Sequence, residues 1–470
     1  MSRFKFLFQN SLIFAVSNFA SKILGFLMIP LYTRVLSKED FGSVDLIIFS
    51  IGLMLPILTL SISESIIRFT IDDKEDKKQV FSFGIKIHLC AYLVLLCFLP
   101  IILKIPLIKD YVFWFYAIFF IQSMNLYFNM FTRGLKKIKL IGITGLVQTI
   151  VTVFSNIILL VVFDFGIEGF LISILLANTV ALLVIYFGAN LVDFMSLKKT
   201  NKRLTKEILK YSIPLMPTRT SWWFNNYSNK YIVANFYGIA ELGLFAAASR
   251  VPSILITFQG IFIQAWEISA LGEYNKKDGV FFFSKIYNLY NFVLLSGCSL
   301  LIMFIKPISG FMFGPEFIDA WRLVPFLLVA VVFGGLIGFF NTINMAKKKT
   351  NALILPVLIG ASIGVIINLF FVPEFGAMAA SVSVVISYFV IWLMRLINAR
   401  KYMKLEINYL RDVFSYLIVL FQAIYTIWFD FDVISIIMLV CFIFILLINI
   451  KTIIYIYKYL RDKYLNKEQN

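Results

Sequence analysis

Fourteen long apolar runs dominate the chain, and they leave it few ways to fold. A helix needs about 20 apolar residues to cross the hydrocarbon of a bilayer. The runs lie near 11–32, 44–64, 80–103, 111–132, 140–163, 166–189, 211–235, 243–269, 281–305, 321–343, 352–372, 375–396, 410–429 and 433–456. With 60% hydrophobic and 15% charged residues and a mean hydropathy of +0.89, the chain carries more apolar surface than a soluble domain can bury. The runs are continuous, unlike the short alternating strands of a barrel. The expected fold is all-α and integral to the membrane, with about 14 transmembrane helices. The stretch after Met1–Asn10 is too long for a signal-peptide core, contains Lys22 and lacks a small-residue cleavage site, so it is expected to stay as the first span.

The basic residues sort by connection. With the N-terminus placed in the cytoplasm, 32 of the 43 Lys and Arg fall in the inner segments and six in the outer ones. The inner connection 191–210 alone holds Lys198, Lys199, Lys202, Arg203, Lys206 and Lys210. This is the positive-inside pattern. It predicts an even number of spans and two cytoplasmic termini. It also accounts for most of the net charge of +17, so nucleic-acid binding has no support.

The chain repeats itself. Asp40-Phe41-Gly42-Ser43-Val44 is echoed by Glu241-Leu242-Gly243-Leu244-Phe245, in each case an acid, a large apolar residue and a glycine at the start of a helix. Phe165-Gly166-Ile167-Glu168-Gly169, followed by Ser173, is echoed by Phe375-Gly376-Ala377-Met378-Ala379, followed by Ser383. Lys136-Lys137 matches Lys347-Lys348, and Asn156 matches Asn368. Six spans per copy is an even number, so the copies are parallel, related by an axis along the membrane normal. The expected organisation is a six-helix lobe over 1–190, a cytoplasmic linker over 191–210, a second six-helix lobe over 211–400, and two added helices with a cytoplasmic tail over 401–470. Two lobes about a central axis suit an alternating-access transporter.

Five basic residues stand inside the runs: Lys22, Lys86, Arg219, Lys230 and Arg250. A charge at the bilayer centre costs about 2.5–3.5 kcal/mol even on the gentler insertion scale, so each needs a reason. Arg219, Trp223, Asn226 and Lys230 follow one another at helical spacing and form one polar face of the seventh span. Lys22, Arg219, Asn226, Lys230 and Arg250 are the candidate substrate-binding residues, a cationic cavity suited to a phosphate-bearing anion. Structural pairing of each with a polar neighbour is the plainer alternative. Glu64 and Arg68, at i, i+4, are expected to pair within one helix, and Glu267 holds the equivalent place in the eighth span; a structural or ion-coupling role is open to all three. Lys86 is expected to snorkel. Neither the lone His88 nor the scattered Cys90, Cys97, Cys298 and Cys441 has metal or redox spacing, so no metal, cofactor or disulfide is expected.

Three stretches carry a resemblance. Ser21-Lys22-Ile23-Leu24-Gly25-Phe26 continues through Ile29-Pro30-Leu31-Tyr32-Thr33-Arg34 to Glu39-Asp40-Phe41-Gly42. Ile208-Leu209-Lys210-Tyr211-Ser212-Ile213-Pro214-Leu215-Met216-Pro217 leads into the seventh span, and residues 243–250 follow it. Together they resemble the Wzx-type polysaccharide repeat-unit flippases of the multidrug/oligosaccharidyl-lipid/polysaccharide exporter superfamily. The resemblance implies a MATE-like two-lobed fold. It further implies transport of undecaprenyl-diphosphate-linked oligosaccharide from the inner to the outer leaflet of a bacterial cytoplasmic membrane, for O-antigen or capsule synthesis. A coupling H+ or Na+, a polysaccharide polymerase and a chain-length regulator would be its partners. Where many members carry Asp-Arg late in the seventh span, this chain reads Asn229-Lys230, so an ion-coupling role for that acid is in doubt.

Rival functions fare worse. A membrane polymerase, ligase or glycosyltransferase needs a catalytic apparatus, and the outer connections are short, with no His. A drug or cation antiporter of the same superfamily would favour intramembrane acids, and the runs lean basic. The chain is expected not to be an enzyme.

Overall fold

In lipid no water is present to satisfy backbone N–H and C=O groups, so a long apolar chain must bond them within helices. The computed structural model describes residues 22–72, 75–105, 108–196, 201–273, 278–346, 354–429 and 435–454, and every regular element among them is helical. The side chains of 218, 222, 225, 226, 265, 268, 271–273, 345 and 346 lie outside that description. The chain divides into two compact units, Met1–Ala246 and Ala247–Asn470.

The first unit contains α1 (Ile29–Val35), α2 (Lys38–Leu58), α3 (Ile62–Ile71), α4 (Lys77–Cys97), α5 (Val112–Gly134), α6 (Ile138–Asn156), α7 (Gly166–Gly188), α8 (Lys202–Ser212) and α9 (Leu215–Tyr237), and ends within α10 (Ile239–Ala248). A capping box starts α2: the Asp40 amide donates to Ser37 Oγ at 3.1 Å, and the Ser37 amide donates to the Asp40 carboxylate at 3.3 Å. The run expected over 44–64 is broken. Pro56 weakens the end of α2, Leu60 and Ser61 both adopt left-handed backbone (φ 52°), and α3 starts afresh at Ile62. The Ser61 amide turns back to the Pro56 carbonyl at 3.0 Å. The amphipathic α8 seats Leu204 and Ile208 in the first unit's core beside Phe81, Tyr127 and Phe131.

The second unit contains α11 (Ser253–Glu273), α12 (Gly279–Met303), α13 (Ile305–Met312), α14 (Val324–Ala346), α15 (Ile354–Arg400), α16 (Tyr409–Trp428) and α17 (Ile436–Ile448). At 47 residues, α15 is too long for one crossing. It would extend about 70 Å against a hydrocarbon core of about 30 Å. Gly376 (φ 57°, ψ −143°) divides it where the sequence separates the runs 352–372 and 375–396. Gly166, its partner in the repeat, starts α7 with φ 50°. Both copies therefore use a left-handed glycine at the same junction, a conformation that a Cβ disfavours.

The sequence repeat is also visible as contact. Gly42 in α2 and Gly243 in α10 lie backbone to backbone within the first unit. A Cβ on Gly42 would collide with the Ile239 carbonyl oxygen, and one on Gly243 with the Lys38 carbonyl oxygen. The relation is reciprocal, as expected where two equivalent helix starts cross near an axis, and only glycine permits so close an approach.

Among the described residues, nine helices are long and apolar enough to span a membrane, or ten with Ile239–Ala248 and Ser253–Gln264 counted as one broken span. The difference from fourteen has physical sources. The first run lies mostly outside the described residues, α9 carries too many polar groups, α17 is short, and α15 counts once while holding two runs.

Candidate functional site

The polar face read along 219–230 lies on α9, which packs along α2 inside the first unit. The Trp223 indole N–H donates to the Phe49 carbonyl at 2.7 Å, and the Tyr231 ring meets Phe49 edge-on at 4.8 Å. The Tyr231 hydroxyl and Ser50 Oγ share a hydrogen bond. Below this aromatic layer Lys230 forms an ion pair with Asp45. Its ammonium also lies 5.4 Å from the Tyr227 ring centroid and 5.6 Å from that of Phe49. Lys230 is 8% and Asp45 7% exposed, so neither charge is solvated and each depends on the other. Asp45 was not among the sequence candidates. Its signal was present, an acid at the start of the run 44–64, but nothing in the chain's order links it to a lysine 185 positions away. It restores to Lys230 the acid that Asn229 lacks.

A second ion pair stands toward the other end of α9. Arg219 donates to Glu64 at 2.6 Å. This corrects the expected pairing of Glu64 with Arg68: the Arg68 guanidinium instead lies over the Tyr211 ring, 4.8 Å from its centroid. An i, i+4 pair is worth only a few tenths of a kcal/mol, so a guanidinium from another helix and an aromatic face displace it. The Arg219 side chain is 54% exposed. Of its five donors, one meets Glu64, and among the described residues no other partner meets the rest.

Arg219 and Lys230 stand about 16 Å apart along α9, and each meets its own acid. In the first unit Arg219 and Lys230 are therefore two separate stations, each paired with an acid. Lys22, in the helical segment 22–27, is exposed. The Asn226 side chain lies outside the described residues. Arg250 belongs to the second unit, is partly buried and is engaged within the protein. Glu267 is exposed on α11 of that unit. The exposed Lys86 suits a snorkelling side chain. His88 is held inside the first unit: Nδ1 meets the Gly84 carbonyl at 2.8 Å, Nε2 meets Ser63 Oγ at 3.1 Å, and the ring packs 4.7 Å from Tyr127.

Comparison with solved structures shows where this architecture recurs. The lipid II flippase MurJ in an inward closed conformation matches with TM-score 0.70 and 15% identity, covering 96% of this chain and 99% of that one. An inward-facing multidrug resistance MATE family transporter of the MOP superfamily matches with TM-score 0.65 and 14% identity, covering 84% and 100%. Its outward-facing counterpart matches with TM-score 0.57 and 16% identity, covering 84% and 96%. The chain thus shares the all-helical membrane fold of this flippase and these transporters. Sequence comparison with curated proteins gives no match. A profile of polysaccharide biosynthesis proteins matches residues 7–266, more than half of the chain. This multi-pass membrane protein therefore belongs to the polysaccharide biosynthesis protein family.

Proposed function

We propose that the chain is a flippase for undecaprenyl-diphosphate-linked oligosaccharide repeat units, moving them from the cytoplasmic to the outer leaflet of a bacterial cytoplasmic membrane for O-antigen or capsular polymer. The observation that carries this reading is Arg219, a guanidinium oriented by Glu64 and still half exposed. A pre-oriented guanidinium suits a diphosphate, because its planar fork matches phosphate oxygens. The family match supports a role in polysaccharide synthesis, and the MurJ-like fold supports a lipid-linked cargo. A cationic drug would have to compete with Lys230 for Asp45, which disfavours the antiporter alternative.

In this mechanism both termini are cytoplasmic, and the six-helix lobes 1–190 and 211–400 rock to open the site first inward and then outward. Arg219 holds the diphosphate, Lys22 and Arg250 are further candidate contacts for the cargo, and the lipid tail stays in the bilayer. The cycle draws on H+, Na+ or the membrane potential.

The test is complementation of a repeat-unit flippase null strain. Wild type restores surface polymer, while Arg219→Ala and Arg250→Ala do not. Normal polymer from both variants would overturn the anion-anchor reading, and no polymer from wild type would overturn the proposed function.

A further inference from the structure

The first unit holds a polar feature separate from the two ion pairs. Gln122, Asn125, Asn129 and Arg133 follow one another at spacings of three, four and four along α5, which places them on one face. Against this face α6 brings Gln148 and α7 brings Asn178, around a cavity of about 450 Å³. That volume is in the range of small-molecule sites.

The amides are built into a network. Asn178 Oδ1 accepts from Asn125 at 3.2 Å and from Gln148 at 3.1 Å. Asn129 donates to Asn125 Oδ1 at 2.7 Å, and Asn178 Nδ2 is held by the Ile174 carbonyl at 2.8 Å. These bonds fix the orientation of Asn125 and Asn178. The Gln122 carboxamide, Asn129 Oδ1 and Gln148 Oε1 have no partner among the described residues. Arg133, the exposed end of the row, is engaged within the protein.

Carboxamides carry donors and an acceptor but no charge. Three helices presenting them together in an otherwise apolar bundle suit a neutral ligand with many hydroxyl or acetamido groups. We propose that this cavity is a subsite for neutral sugar rings of the transported lipid-linked oligosaccharide. The proposal rests on the flippase reading and names where the glycan part of the cargo is recognised. Arg219 anchors the anion, and the amide cavity reads the sugar.

The test uses purified full-length protein in nanodiscs, titrated with glucose, galactose, N-acetylglucosamine, chitobiose and, separately, sodium pyrophosphate. At least one neutral sugar should bind saturably. Gln122→Leu and Gln148→Leu should each weaken it about tenfold, while Arg219→Ala leaves it unchanged and weakens pyrophosphate instead. Circular dichroism checks that both amide variants fold, and Gln122, which spends no bond among the described residues, keeps the test clean. No sugar bound by wild type, sugar binding as strong as wild type in both variants, or amide variants that weaken pyrophosphate would each overturn the proposal. Because binding is read without transport, failed complementation with intact sugar binding would sink the flippase reading alone.

Discussion

Gly42 and Gly243, matched residues of the sequence repeat, meet backbone to backbone, and a side chain on either would strike the carbonyl of the residue one turn earlier on the opposite helix, Ile239 or Lys38. Gly42→Val and Gly243→Val should each lower stability by about 1–3 kcal/mol through overpacking. The double variant should cost less than the sum, because one displacement of the helices relieves both clashes. Thermal unfolding of the detergent-solubilised protein measures this. Additive losses would mean that the glycines act separately.

The buried pair Asp45–Lys230 should respond asymmetrically. Asp45→Asn or Lys230→Met alone leaves an uncompensated buried charge and should cost about 3–5 kcal/mol. Asp45→Leu combined with Lys230→Met should recover most of that loss. A double-mutant cycle in denaturant decides it, and near-zero coupling would refute the pairing as an energetic unit.

At the Glu64–Arg219 pair the prediction concerns function. Arg219→Ala should abolish polymer export, Arg219→Lys should retain part of it, and Glu64→Gln should weaken it less than Arg219→Ala. Stability should barely change, because exposed ion pairs contribute little. Surface-polymer staining alongside melting curves separates the two effects.

Gly376 should resist substitution despite its apolar setting. Its φ of 57° with ψ of −143° is open almost only to glycine, so Gly376→Ala should cost about 1–3 kcal/mol. Gly166→Ala offers a milder control, since nothing lies within 4 Å of a Cβ there and only the backbone angle opposes it. A melting temperature unchanged by Gly376→Ala would show that the junction tolerates other backbone angles.

The sequence by itself determined the solvent and the periodic plan. Apolar run length, the sorting of basic residues and the two echoed motifs all act locally, so they are legible without coordinates. They led to an all-helical membrane protein with an internal repeat, and to the polar face of the seventh span that became α9. Tertiary structure alone decided the charge pairing. Asp45 reaches Lys230 because α2 packs along α9, Glu64 on α3 reaches Arg219 on α9, and the break at Leu60–Ser61 that separates α2 from α3 has no glycine to announce it. The row Gln122, Asn125, Asn129, Arg133 could have been noticed from its spacing, but its meaning depends on Gln148 and Asn178 from two other helices. A buried polar group takes its energy from the partner it finds, and helix packing brings together partners that lie far apart along the chain.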